Sequence, residues 1–133
     1  MKRIVLADTG PLYASVDPDD AHHARARREI AALARDKREV LVAYPTLCEA
    51  CTLVLHRLGK KTCTRWLEEV TAGVALVNPT PQDFHEGVRI LRAFSDQPIT
   101  LFDATLCILA ARLSSEIWTY DHHFDILGAP VWR

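Results

Sequence analysis

Short β-branched runs alternate with longer stretches of helical periodicity along the whole chain, and this alternation restricts it to an α/β fold with a mostly parallel sheet. Arg3 to Ala7 reads as a first buried strand, Glu39 to Ala43 as a second, Val74 to Val77 as a third and Ile117 to Tyr120 as a fourth, with Val131 and Trp132 as a short last one. Helices are expected just after Asp8, from Asp19 or Asp20 to about Asp36, from Thr46 to Gly59, and from Lys60 to about Ala72. Two more are expected from Thr80 to about Phe94 and from Leu101 to Leu113, separated by a loop from Ser95 to Ile99. The expectation is a three-layer sandwich, a central sheet flanked by helices, formed as one domain because 133 residues suit a single core.

At 49% hydrophobic and 25% charged residues, the composition excludes a disordered or repetitive chain. Lys2 and Arg3 before an apolar run resemble the start of a leader, but Asp8 ends that run too early. No stretch approaches the roughly 20 apolar residues of a membrane helix, so a cytosolic protein with no membrane partner is expected. Cys48 and Cys51 form a C-x-x-C pair, while Cys63 and Cys107 stand alone in sequence. A zinc site would need a second close pair, so all four read as buried, reduced core thiols. A net charge of -1 gives no overall electrostatic case for nucleic acid. A polyanion would have to be met by a local patch or through metal.

Four acids stand in apolar sequence. Asp8 and Asp121 follow the first and fourth strands, at the carboxyl edge where open α/β sheets bind ligands, although either could simply cap the next helix. Glu49 and Asp103 lie three residues after Thr46 and Thr100, the spacing of a capping box, and Thr80 with Asp83 repeats it. What separates Glu49 and Asp103 from simple caps is their helical face. Leu106, Cys107 and Ala110 follow Asp103 at helical spacing, Leu53, Val54 and Leu55 follow Glu49, and neither stripe holds a lysine or arginine. An inward carboxylate needs a partner, and a shared hard dication, Mg2+ or Mn2+, would serve all four. Without it, like charges about 4 Å apart repel by roughly 4 kcal/mol at an effective dielectric near 20, so at least one acid should hold its proton abnormally well.

Asp8-Thr9-Gly10-Pro11-Leu12, the mid-chain Glu49, Phe102-Asp103-Ala104 and Thr119-Tyr120-Asp121-His122-His123-Phe124 together resemble the PIN-domain ribonucleases, in particular the VapC-type toxins of toxin-antitoxin pairs. The resemblance spans essentially the whole chain. It implies an Mg2+-dependent endoribonuclease leaving 5'-phosphate and 3'-hydroxyl ends, with Asp8, Glu49, Asp103 and Asp121 as catalytic metal ligands and Thr9 and Thr119 as small polar auxiliaries. Asp125 is a further auxiliary acid, and Arg57, Lys60, Lys61 and Arg65 are candidate RNA contacts. Asp19, Asp20, His22 and His23 read as solvated helix-start residues, and His122 and His123 as exposed loop residues near the last acid. The resemblance also implies a cognate antitoxin, seated in an apolar groove to which Leu53, Trp66, Leu67 and Val70 could contribute, and a homodimer. The competing reading is a metal-binding regulatory or protein-interaction α/β module without nuclease activity. A phosphoacceptor receiver would need paired acids after the first strand and a late lysine, and neither is present.

Overall fold

The apolar runs become four strands, β1 (Ile4–Ala7), β2 (Glu39–Ala43), β3 (Ala75–Val77) and β4 (Glu116–Trp118), paired in parallel in the order β3-β2-β1-β4. The computed structural model describes residues 3–133, so Lys2 lies outside it. Val131 adds an isolated bridge to Ile117. The helices are α1 (Thr9–Ala14), α2 (His23–Arg35), α3 (Tyr44–Leu58), α4 (Lys60–Gly73), α5 (Pro81–Ala93), α6 (Leu101–Arg112) and α7 (His123–Ile126). None among the described residues is long and apolar enough to cross a membrane.

Strand alternation builds the three layers. Val5, Ala7, Val42 and Trp118 enter one core with Leu12, Leu33, Ala50, Val54 and Trp66, which come from α1 to α4. Leu6, Leu41, Ala43 and Ile117 enter a second core with Leu106, Leu109, Ala110 and Phe124, from α6 and α7. The chain therefore leaves β1 toward one face of the sheet and leaves β4 toward the other. Because β1 and β4 are neighbours, their carboxyl ends form the topological switch point, where diverging connections open a crevice.

Helix α5 reaches the fold by packing on α6. A Cβ at Gly87 would stand 2.8 Å from the Thr105 hydroxyl oxygen, so glycine is what permits the close approach. Thr80 and Asp83 form the expected capping box, and Arg112 of α6 closes on Asp83 with two hydrogen bonds of 3.1 and 2.8 Å.

Several expected boundaries move for local reasons. Asp17 and Asp20 accept from the backbone N–H groups of Asp19 and His22, which makes turns and delays α2 to His23. The fourth strand stops at Trp118, because the Thr119 hydroxyl accepts from the Asp121 backbone and bends the chain. Helix α3 starts at Tyr44, directly from β2, with Pro45 in its first turn and no side-chain cap. Thr46 thus sits inside the helix with its hydroxyl buried and unpartnered, and the expected Thr46–Glu49 capping box does not form. The cysteines differ too: Cys63 is buried, Cys51 and Cys107 are half-buried, and Cys48 is exposed. Nor does Cys63 stand alone, since its Sγ lies 3.4 Å from that of Cys51.

Candidate functional site

Asp8 continues the β1–β4 ladder, its N–H donating to the Trp118 carbonyl at 2.9 Å, and its side chain is buried without capping α1. The hydroxyl of Thr119, arriving from the adjacent strand, donates to its Oδ2 at 2.8 Å. Burial raises the Asp8 pKa to about 6, and repulsion from Asp103 and Asp121 adds to the rise against the opposing hydrogen bonds from Thr119 and the Thr9 backbone. This is the proton-holding acid expected of a crowded carboxylate cluster.

Asp103 stands in the first turn of α6, also buried, and keeps its capping box with Thr100. The imidazole Nδ1 of His123 lies 3.3 Å from its Oδ2 and 3.3 Å from Oδ1 of Asp121. One ring nitrogen thus spans the two acids. Asp121 is half-buried and accepts from the His123 backbone at 2.9 Å, a local turn that coexists with its place beside Asp103. Glu49 is exposed rather than inward, because the buried stripe of α3 runs through Thr46, Ala50 and Val54 and leaves position 49 beside it, but it still faces the same crevice. Thr9 fixes it there through a 3.1 Å hydrogen bond to Oε2.

The crevice encloses about 740 Å³ and is lined by all four acids together with Thr9, Thr100, Tyr120 and the two histidines. No lysine or arginine among the described residues forms an ion pair with any of the four. Ligand atoms of Asp121, His122 and His123 lie within 4.8 Å of one another. Imidazole nitrogens thus stand beside the carboxylate oxygens in the crevice. Four carboxylates in one open crevice suit a hard dication.

Other expected members lie elsewhere. Asp125 is exposed, and Arg133 pairs with both its oxygens at 3.0 and 2.9 Å, outside the crevice. None of the four candidate RNA-binding cations lines the crevice: Arg57 lies over the Tyr13 ring, Lys60 and Lys61 open α4 on the exposed side, and Arg65 lines a separate groove. That groove, of about 1020 Å³, contains Trp66 and Val70 beside Leu12, Val16 and Ile30, whereas Leu53 and Leu67 pack against the core instead. His22 is not merely solvated, its ring resting 4.8 Å from that of Tyr120. Tyr120 in turn donates to Glu29 of α2 at 2.5 Å, and Trp118 donates to the same oxygen at 3.3 Å. This tether braces the loop bearing Asp121, and its partners stand 91 and 89 residues apart, beyond any local sequence signal.

The PIN domain model matches residues 5–129. No curated protein matches the sequence. Among solved structures, VapC20 of Mycobacterium tuberculosis, a toxin cleaving the sarcin-ricin loop, is 20% identical with a TM-score of 0.83, covering 97% of this chain and 98% of that one. The VapBC2 complex of Rickettsia felis bound to promoter DNA is 13% identical with a TM-score of 0.76, covering 98% and 97%. VapBC-1 of nontypeable Haemophilus influenzae is 16% identical with a TM-score of 0.73, covering 98% and 96%. With the family's fold, and a match running from β1 past α7, the chain belongs to the PIN-domain family.

Proposed function

We propose that the protein is a cytoplasmic, metal-dependent endoribonuclease acting as the toxin of a toxin-antitoxin pair, and that its 133 residues work as one domain. The observation that carries this reading is the crevice at the switch point, where Asp8, Glu49, Asp103 and Asp121 meet with no lysine or arginine among the described residues in its lining. A bound Mg2+ or Mn2+ would supply a water of lowered pKa and a charge to meet the scissile phosphate. Asp8, Asp103 and Asp121 would hold it, directly or through water, and Glu49 would complete the set or orient the attacking water. Thr119 and Thr9 fix the oxygens of Asp8 and Glu49 for that task. His123 keeps Asp103 and Asp121 at a set separation, as a partner beyond the ligands does for many metal sites.

The fold likeness to VapC20 and to two toxin-antitoxin complexes supports RNA as substrate and a small antitoxin as partner. The groove holding Trp66 and Val70 is the seat we assign to the antitoxin. It shares no lining residue with the acidic crevice, so inhibition requires the bound segment to extend from one to the other. We include in this proposal a homodimer of the chain, which the family resemblance implies.

The test is cleavage of ribosomal and transfer RNA with Mg2+, with Mg2+ and excess EDTA, and with Asp8→Asn plus Mg2+. Cleavage in the first reaction alone is the expected result. Equal cleavage in all three reactions, or none in any of them, overturns the reading.

A further inference from the structure

We propose that Cys51 and Cys63 form a covalent modification site, a thiol pair that a peroxide oxidises to a disulfide stapling α3 to α4. The two residues lie 12 apart on successive helices that turn back on each other at Gly59, and folding brings their Sγ atoms to 3.4 Å. The Cys63 thiol also reaches the Cys51 carbonyl at 3.6 Å, which keeps its sulfur directed at α3. Closing a bond of about 2.05 Å from this distance needs side-chain rotation and a small adjustment between helices, well short of a rearrangement of the fold.

The surroundings select this pair over the other thiols. Cys63 is 4% exposed, whereas Cys51 is half-buried and open enough to meet a small oxidant. Burial, with Cys63 beside it, raises the Cys51 pKa, so the reaction is slow until a thiolate forms, but its product is sheltered once made. Cys48 is exposed on the same helix, and its backbone carbonyl accepts from the Thr52 hydroxyl.

The step balances. The Cys51 thiol gives up its proton, the thiolate attacks the peroxide and becomes a sulfenic acid as the O–O bond breaks, and the expelled hydroxide takes up that proton and leaves as water. Cys63 sulfur then displaces the sulfenic oxygen as a second water, forming the S–S bond. Two thiols are oxidised by two electrons in total, and one hydrogen peroxide is reduced to two waters.

This proposal stands apart from the nuclease reading and is tested without any activity assay. The purified full chain, reduced and then exposed to hydrogen peroxide, is alkylated and examined by intact mass and peptide mapping. The expected product has lost two hydrogens, links the Cys51 and Cys63 peptides, and leaves Cys48 and Cys107 alkylated. It should melt roughly 10 °C above the reduced chain, because the cross-link restricts the unfolded state. Cys51→Ser and Cys63→Ala should each abolish the linked peptide, with folding checked by far-ultraviolet dichroism, while Cys48→Ser retains it. Oxygen addition at Cys48 with Cys51 and Cys63 both still alkylated would overturn the proposal, as would a linked peptide joining Cys48 to either.

Discussion

Two helices of this protein begin with the same device, yet their acids end in opposite circumstances. Thr80 and Asp83 cap α5, Thr100 and Asp103 cap α6, and in each pair both reciprocal hydrogen bonds form. Asp83 faces the α5–α6 seam, where Arg112 meets it with two bonds and holds its carboxyl below the usual range. Asp103 opens into the crevice, where its neighbours are other carboxylates and the His123 ring. Local spacing thus reports the cap in both cases. Whether an acid is closed by a cation or left for one is decided by what the fold brings opposite it.

The sharpest way to break this contrast is to neutralise each acid in turn. Asp103→Asn should lower Mg2+-dependent RNA cleavage by about 1,000-fold, equivalent to several kcal/mol of transition-state stabilisation, while leaving far-ultraviolet dichroism unchanged. Asp83→Asn should leave cleavage per folded molecule as it was. Comparable losses from both would mean that the crevice has no special claim on Asp103.

Stability should answer in the reverse sense. Arg112→Met strands the 3%-exposed Asp83 carboxylate without its partner and should destabilise the chain by about 2 kcal/mol in denaturant unfolding, the low end for such a pair because the arginine is partly solvated. Since Arg112 depresses the Asp83 pKa, the stability this pair contributes is present above the unfolded value and lost as pH falls. A variant as stable as the parent at pH 7 would show that the seam does not depend on the ion pair.

Much of this arrangement was legible in the order of residues. The strand-helix alternation gave the three layers, and acids at strand ends pointed to the switch point, because both are consequences of local periodicity and parallel topology. What escaped depended on contacts across the sheet. Asp125 looked like one more crevice acid until Arg133 met it, and Glu29 carried no sign of its bond to Tyr120. Thr46 and Glu49 matched the capping spacing, but β2 runs directly into α3 and leaves no cap position for the threonine. Cys63 looked solitary because helical hairpins pair residues 12 apart, a distance no short motif samples.

Asp8 offers the smaller and more discriminating tests. Its folded pKa of about 6 exceeds its ordinary value of 3.8, so its favourable contribution is complete below pH 3.8 and lost as pH rises through about 6, opposite in sense to Asp83. In EDTA the parent should therefore be weaker at pH 8 than at pH 5 by about 1.4 kcal/mol from this residue, roughly half of its full range. Asp8→Asn should remove most of that slope and gain about 2 kcal/mol at pH 8, even though it disables cleavage. A slope that persists unchanged in the variant would assign the pH dependence to other groups.

Thr119→Val probes the same carboxylate more gently. Its hydroxyl lowers the Asp8 pKa by donating at 2.8 Å, and its oxygen accepts from the Asp121 backbone at 3.0 Å. Removing both should move the metal-free stability transition to higher pH and cost about 1 kcal/mol. It should also weaken Mg2+ binding modestly in calorimetry, because Asp8 then holds its proton more firmly and Asp121 loses its turn. If the transition stays at the same pH, Thr119 supports the Asp121 loop alone, and the proton on Asp8 is governed by burial and the neighbouring acids without help from the strand beside it.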